Sequence, residues 1–151
     1  MDITGLKNLI TSWLPEAEVS EGKQYLNVLV PAEKFLGFAK QLKSFPETAF
    51  DYLFCVSGVD MPDHILMIYH LESTRHKHQL VVKVKTEGRE TPAVDSVSEI
   101  WHTAEFHERE VFDLLGIKFN HHPDLRRIFL EEGWGFPLRK DYVDEVRIVE
   151  R

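Results

Sequence analysis

The residues of this chain that are best suited to chemistry are histidines and acids that could together bind a metal ion. Four histidines and two glutamates lie close together in the sequence: His102, Glu105, His107, Glu108, His121 and His122. A helical metal site places its ligands on one face, as in H-E-x-x-H, whereas His102 and His107 would lie about 140° apart around a helix. We therefore predict no metal site, with a stand-alone histidine and glutamate metal-dependent enzyme as an alternative.

Nucleophiles and cofactor-binding loops are scarce in this sequence. Cys55 is the only cysteine, so the chain can form no internal disulfide and cannot supply a four-thiolate iron–sulfur cluster. The serines and this cysteine lie outside any nucleophile motif, and we expect Cys55 to be buried in an apolar strand. The eight glycines are scattered singly, without the spacing of a dinucleotide-binding or phosphate-binding loop. We predict no catalytic, cofactor-binding or metal-binding residues in this chain.

A dense group of charges near the end of a predicted helix is the strongest candidate for a functional site. Glu108 falls near the apolar stripe of that helix, where a carboxylate needs a partner to offset its lost hydration. Arg126 and Arg127 follow along the chain, and an arginine can bind a carboxylate through two hydrogen bonds. Our hypothesis is that Glu108 pairs with one of these arginines and fixes the later segment to the helix.

The opposite face of that helix combines a charge pair with an aromatic residue. Arg109 and Asp113 are four residues apart, with Phe106 nearby on the helical wheel and Glu110 at the edge. A solvated face would be polar throughout, so a phenylalanine beside a charge pair indicates a surface covered by another chain. The alternative is a surface ion pair, worth about 0–1 kcal/mol, beside an incidentally exposed phenylalanine.

Aromatic and basic side chains recur later, in a segment without any regular period. Trp134 and Arg139 are of the types favoured at the centres of interfaces. Arg139 and Lys140 could bind an anion, but Asp141 follows directly and offsets part of their charge. We predict that these residues are anchor points of an extended C-terminal arm, residues 117–151.

Three ordered blocks in this region resemble a known family. They read E-R-E-x-x-D-x-x-G-I-x-F from Glu108, H-P-D-L-R-R-I from His122 and W-G-x-P-L-R-K-D-Y from Trp134. In these blocks the chain resembles the C subunit, of the 30 kDa subunit family, of the bacterial NADH:quinone oxidoreductase, respiratory complex I. The predicted interface and motif residues are Phe106, Glu108, Arg109, Glu110, Asp113, His122, Arg126, Arg127, Trp134, Arg139, Lys140 and Asp141.

The resemblance implies a non-catalytic subunit of the peripheral arm of a proton-translocating complex, a scaffold for the quinone-module subunits during electron transfer from NADH to quinone. NADH, FMN, iron–sulfur clusters and quinone would be bound by other subunits. The partners would be the hydrogenase-like large subunit and the small iron–sulfur subunit, on the cytoplasmic side of the inner membrane. An equivalent subunit of a membrane-bound hydrogenase or a ferredoxin- or coenzyme-dependent sister complex is the close alternative, and an adaptor unrelated to respiration is a third.

The chain departs from the family pattern at two positions that concern loop geometry. His121 stands where the family usually has a glycine, and Phe136 stands where it often has a histidine. If the family glycine takes a positive φ, which glycine adopts without steric cost, we expect the turn at His121 to differ.

Composition and hydrophobic periodicity predict a single α+β domain. The 151 residues carry a net charge of −7, which argues against nucleic-acid binding. No run of apolar residues is long enough to span a membrane, and the first residues do not resemble a signal peptide, so we expect a soluble or peripheral chain.

The order of predicted elements is α-β-α-β-β-β-α followed by the arm, with residues 1–116 as the α+β part. We predict a mostly antiparallel four-stranded sheet with helices packed against it, and an antiparallel meander for its last three strands. Ser96 to Glu99 matches a capping box, although Thr103 could cap a second, separate helix just before the motif. Predicted strands cover residues 24–30, 51–59, 64–72 and 79–86, and predicted helices begin near Asp2 and Pro31.

Overall fold

The computed structural model describes residues 2–131 and 133–142, and this part of the chain contains three helices and seven strands. In chain order the elements are α1 (Ile3–Trp13), β1 (Glu18–Glu21), β2 (Leu26–Val30), α2 (Ala32–Ser44), β3 (Tyr52–Asp60), β4 (Ile65–Ser73), β5 (His78–Lys85), β6 (Ala93–Asp95), α3 (Ala104–Leu115) and β7 (Lys118–Asn120). Among these helices, none has the length and apolar character needed to cross a membrane.

The main sheet of the described region has five strands in the order β1-β2-β5-β4-β3. The pairs β1/β2, β5/β4 and β4/β3 are antiparallel and only β2/β5 is parallel. The α+β class, the mostly antiparallel sheet and the meander β3-β4-β5 are therefore confirmed. The prediction of four strands is wrong, because β1 adds a fifth. Its sequence, E-V-S-E, is short and largely exposed, so it lacks the apolar alternation by which a strand is recognised.

A second, two-stranded sheet joins the two ends of the segment that includes α3. β6 and β7 pair in parallel, with Val94 opposite Phe119. The strand β7 lies at the start of the segment predicted to be an irregular arm, so that segment begins with regular structure. Both strands have only three residues, which is too short for a periodic signal.

The helices begin and end largely where local chemistry predicts. The carboxylate of Asp2 accepts a hydrogen bond from the backbone N–H of Gly5 at 2.8 Å and caps α1. Pro31 precedes α2, and Phe45 follows it. The predicted capping box at residues 96–99 is wrong, because α3 begins at Ala104. Thr103 precedes the helix, as the alternative had it, but its hydroxyl donates to the Leu53 carbonyl oxygen and does not cap α3.

All three described helices pack on one face of the main sheet and enclose the core there. The ring of Phe35, on α2, lies 4.8 Å from the ring of Tyr69, on β4. α3 approaches the same face at Gly58 on β3, where an added Cβ would lie 2.7 Å from the Leu115 side chain. This close contact places the charged turns of α3 against the edge strand of the sheet.

Candidate functional site

Asp113 is the centre of the candidate site. It is 0% exposed, and one carboxylate oxygen accepts backbone hydrogen bonds from Ile128 (3.3 Å), Phe129 (2.8 Å) and Leu130 (3.2 Å). The other oxygen accepts from Arg127 Nη1 at 2.9 Å. Burial by itself raises the pKa of Asp113, but these hydrogen bonds outweigh burial and hold the pKa below its usual value. One helical carboxylate thus fixes a whole turn of the irregular segment.

Arg109, one turn earlier on α3, binds the same segment from its other side. Its Nε donates to the carbonyl oxygen of Arg126 at 3.1 Å, and its Nη2 donates to that of Arg127 at 3.2 Å. Arg109 is only 7% exposed. Together Arg109 and Asp113 bind carbonyl and N–H groups of residues 126–130, which we call the strapped segment.

Arg109 and Asp113 were expected to form a charge pair on a face covered by another chain, with an exposed surface ion pair as the alternative. Among the described residues they form no ion pair with each other. Both side chains are buried and bind the strapped segment. The helical wheel placed them correctly on a face of α3 away from the sheet, but the chain's own residues 126–130 cover that face. Periodicity gives no information about an irregular segment that returns fifteen residues later.

The predicted pair between Glu108 and an arginine of the arm is also wrong. Glu108 is fully buried, with Ser96 Oγ donating to Oε1 at 2.6 Å and the Val97 N–H donating to Oε2 at 3.2 Å. Burial raises the pKa of Glu108 to about 7, although these two hydrogen bonds lower it. Arginine does hold the arm to the helix, as predicted, but the pair is Arg127 with Asp113.

Two phenylalanines remain exposed beside this buried cluster. Phe106 is 62% exposed and Phe129 is 66% exposed. The guanidinium of Arg109 lies 5.7 Å from the centre of the Phe106 ring, and the backbone of Phe129 is fixed by Asp113. We call Phe106 and Phe129 the phenylalanine pair. Glu110, which was also predicted to belong to this face, is exposed.

The helix end and the arm meet at Gly116. This residue has φ +78°, in the left-handed region, and ends α3 as predicted. An added Cβ would lie 2.6 Å from the ring of Phe136, and Arg127 and Arg139 lie 5.3 and 5.5 Å from the centre of that ring. Phe136, the departure from the family pattern, is therefore part of the packing between α3 and the arm.

The histidines of the second block hold the turn after β7. His122 Nδ1 accepts from the Asp124 N–H at 3.0 Å, so the proton is on Nε2, which lies 3.0 Å from the Glu105 carbonyl oxygen. His121 has φ +66°, a conformation for which histidine is enriched among non-glycine residues. Because His121 itself takes a positive φ, a histidine at this position does not require a different turn.

In the third block the Arg139 side chain turns inward, whereas Lys140 is exposed and contributes its backbone N–H. Arg139 Nε donates to the Leu115 carbonyl oxygen at 2.7 Å, and its Nη1 donates to that of Arg89 at 2.8 Å. Asp60 accepts two hydrogen bonds from Arg89 at 2.7 Å and one from the Lys140 N–H at 2.9 Å. The side-chain bonds from Arg89 are the main reason that the pKa of Asp60 is lowered.

These contacts tie the arm to the end of β3. Asp141 adds an ion pair with Arg89 at 3.3 Å, and Trp134 is half-buried. Asp60 and Arg89 were missed by sequence reasoning because they lie 29 residues apart and match no short motif. Ser96 was not recognised as a partner of Glu108 because it had been assigned to a predicted capping box.

Other sequence candidates do not come together. Among residues 2–131 and 133–142, no group of three or more histidine, cysteine, aspartate or glutamate side chains is placed to hold a metal ion. Arg126 makes an exposed ion pair with Asp124 at 2.9 Å. Cys55 is a free, half-exposed thiol on β3, so the prediction that it is buried is wrong.

A family model described as "Respiratory-chain NADH dehydrogenase, 30 Kd subunit" matches residues 28–146 of the chain. The NADH-quinone oxidoreductase C subunit of Moorella thermoacetica is 40% identical over 131 residues, which are 85% of this chain and 86% of that protein. The protein of the same name from Chloroherpeton thalassium is 52% identical over 64% of this chain.

The matched part is smaller in other relatives. The chain spans 42% of the Chloroherpeton thalassium protein and 22% of the NADH-quinone oxidoreductase C/D subunit of Phocaeicola vulgatus, which is 46% identical over 75% of this chain. Among solved structures, a chain of the membrane-bound sulfane sulfur reductase, an archaeal respiratory membrane complex, has the same fold. It superposes with a TM-score of 0.81 and 24% identity, covering 95% of this chain and 86% of that one.

Proposed function

This chain belongs to the 30 kDa subunit family of respiratory-chain NADH dehydrogenase, and from that premise we propose that it is a non-catalytic scaffold within NADH:quinone oxidoreductase. It holds the quinone-module subunits together while electrons pass from NADH to quinone in a proton-translocating complex. The redox groups, NADH, FMN, iron–sulfur clusters and quinone, are bound by other subunits. The chain is peripheral and lies on the cytoplasmic side of the inner membrane.

The observation that carries this proposal is the buried cluster under the phenylalanine pair. Asp113 and Arg109 are buried and hold the strapped segment, which supports a structural role for both. These interactions fix the backbone at Phe129 and place the Arg109 guanidinium beside the Phe106 ring. Fixed, exposed aromatic side chains lose little conformational freedom on binding and are typical of the centres of protein interfaces.

The direct partner is the hydrogenase-like large subunit, and the small iron–sulfur subunit lies nearby. The Phocaeicola vulgatus relative bears the double name C/D, which is the name expected when one polypeptide carries two subunits, and we equate its D part with the large subunit. Covalent linkage of two subunits is tolerated when their surfaces meet in the assembly. This supports the large subunit as a direct partner, and we assign it to the surface around the phenylalanine pair as part of the proposal.

A sister complex is the second candidate, and one observation favours it. The fold is shared with a subunit of the membrane-bound sulfane sulfur reductase. In such a complex the scaffold role of the chain would be the same, while the electron donor and acceptor would differ.

Affinity purification from native membranes tests the proposal. The tagged chain, extracted in mild detergent, should bring with it the large subunit, the iron–sulfur subunits and NADH-dependent quinone reduction. Phe106→Asp combined with Phe129→Asp should lower the recovery of the large subunit by about tenfold or more, because a charge replaces each apolar contact. Ile3→Asp is the matched control, since Ile3 is 57% exposed on α1 and an acid is tolerated at a helix start.

The outcomes separate the candidates. Recovery with other respiratory subunits but without NADH-dependent activity or NADH-binding subunits would favour the sister complex. A chain recovered alone with a stoichiometric metal would contradict the scaffold role in both.

A further inference from the structure

The face of the main sheet that points away from the described helices has an unexpectedly apolar centre. Side chains of β2, β5 and β4 alternate, so that Val28, Val82 and Tyr69 enter the core while their neighbours point to the other face. We define the open face by five of these neighbours: Leu29, Leu66, Ile68, Lys83 and Lys85.

The residue types on the open face indicate that it is covered in the assembled state. β5 is the central strand, with β2 and β4 on its two sides. A mostly antiparallel sheet with one solvated face usually carries polar residues on that face. Here Leu29 lies opposite Lys83 across the parallel pair, and Ile68 lies opposite Lys83 on its other side. Apolar residues therefore occupy positions that a solvent-facing sheet would make polar.

Two lysines give the open face its charge. Lys83 is half-buried between Leu29 and Ile68, and Lys85 lies opposite Leu66. None of the described carboxylates lies within 4.0 Å of either ammonium group. In a chain with a net charge of −7, acids that could pair with these lysines are abundant elsewhere. A partner with carboxylates would complement these lysines.

We propose that the open face binds an acidic amphipathic helix of another subunit of the complex, laid along β5. This inference rests on the proposed function only because it requires that the chain assembles with other subunits. It concerns a surface distinct from the phenylalanine pair. Lys83 and Lys85 are two residues apart on a strand, so their Cα atoms are separated by about 6.7 Å. Two acidic residues one turn apart on a helix are separated by about 6 Å, a spacing similar to that of the two lysines.

The shape of the surface is consistent with this occupant. A shallow cavity of about 320 Å³ extends over Leu29, Leu66 and both lysines, where the carboxylate ends would enter. Apolar side chains of the same helix would cover Ile68, which is half-buried in this chain. A helix with its side chains is about 10 Å wide, so it would cover the two or three central strands, which are about 4.8 Å apart.

Two other occupants fit less well. A second copy of this chain packed by twofold symmetry would bring lysines against lysines. An anionic membrane surface gains about 1 kcal/mol for each basic residue near it, and two lysines are few, while Glu18 also borders the cavity.

Chemical labelling of the intact complex tests the proposal. Acetylation of Lys83 and Lys85 should be about tenfold or more slower in the purified complex than in the purified full chain, as for groups at an interface core. The exposed Lys40 on α2 is the reference. A carbodiimide should join Lys83 or Lys85 directly to an acidic residue in a helical segment of another subunit.

A competition experiment gives an independent readout. When wild-type and Lys83→Glu chains are co-expressed with distinguishable tags, the variant should be depleted from the complex by about thirtyfold, the loss typical of removing one buried charge partner. Lys40→Glu should be incorporated like the wild type.

Each remaining outcome overturns the inference. The complex recovered with Lys83 and Lys85 as reactive as in the free chain would contradict it while leaving the proposed function intact. Cross-links only between two copies of this chain would assign the open face to a second copy. Protection of Lys83 and Lys85 only on anionic vesicles would assign it to a membrane surface. A chain that fails to co-purify with other subunits would contradict the proposed function and this inference together.

Discussion

Asp113 illustrates, at the scale of single residues, how one carboxylate can order a segment that has no secondary structure. Its four hydrogen-bond partners come from Arg127 and the backbone of residues 128–130. Because the carboxylate charge is buried, these hydrogen bonds must replace the hydration that it loses on folding. Removing the carboxylate would leave its four hydrogen-bond donors without their acceptor.

Asp113→Asn should destabilise the protein by about 3–5 kcal/mol, the cost of breaking a buried ion pair at one partner. The asparagine amide would also bring its own N–H donors close to the three backbone N–H groups from which the carboxylate accepts hydrogen bonds. Urea unfolding gives the free energy, and hydrogen exchange of residues 128–130 reports on the strapped segment directly. Glu110→Gln makes the same change of charge at an exposed position of α3 and should leave both readouts unchanged. Equal exchange in the two variants would refute the role of Asp113.

Glu108 makes the stability of the protein depend on pH around neutrality. Its pKa rises from an ordinary 4.5 to about 7 in the folded state. Between these pH values the Glu108 carboxyl is therefore ionised in the unfolded chain and protonated in the folded one. The unfolding free energy should therefore fall as pH rises from 4.5 to 7 and then level off, by on the order of 3 kcal/mol in total.

Glu108→Gln removes this titration while keeping groups that can bond Ser96 and Val97. The variant should be more stable than the wild type at pH 8, with a difference that shrinks toward pH 5. Denaturant midpoints measured across this range provide the check, with Glu110→Gln as the control. A constant difference at every pH would show that the Glu108 carboxyl does not titrate in this window.

At the scale of elements, the junction between α3 and the arm depends on two properties of Gly116. Its backbone has φ +78°, and its missing side chain leaves room for the Phe136 ring. Gly88 has φ +94° with nothing within 4 Å of an added Cβ, so it shares the first property without the second.

Gly116→Ala should therefore cost more than Gly88→Ala. The left-handed backbone conformation alone costs about 1–2 kcal/mol for a residue with a Cβ, and this is the expected loss at Gly88. At Gly116 the clash with Phe136 adds to it, and we expect about 1–3 kcal/mol more, as for overpacking. Thermal or urea unfolding of both variants gives the difference. Equal losses would mean that the Phe136 ring moves away without cost.

The elements that were predicted correctly are those with a strong period or a clear boundary. α1, α2 and strands β2 to β5 have regular apolar spacing. Pro15, Pro46 and the segment from Gly58 to Asp63 lie at or near the ends of α1, α2 and β3. β1, β6 and β7 have no more than four residues each, and their pairing depends on distant partners. No local pattern records such partners, so these strands could not be predicted.

At the scale of the whole molecule, the sequence identified the residues of the candidate site but not the contacts among them. The charged motif residues were recognised together, yet Glu108 binds Ser96 and Asp113 binds Arg127. The helical wheel assigns a residue to a face of its helix but does not show what covers that face. Here the apolar face meets residues 96 and 97, and the other face meets residues 126–130. The resulting molecule has two candidate docking surfaces, the phenylalanine pair and the open face.

Photo-cross-linking from position 129 in the assembled complex tests most directly whether the phenylalanine pair holds the large subunit. Phe129 is replaced by benzoylphenylalanine, which keeps the aromatic ring and forms a bond to whatever lies against it. We predict a cross-link to the large subunit, identified by mass spectrometry, and none from the same replacement at Ile3. A complex that is recovered intact while position 129 cross-links only to this chain, or to no protein, would contradict the proposal that this surface holds the large subunit.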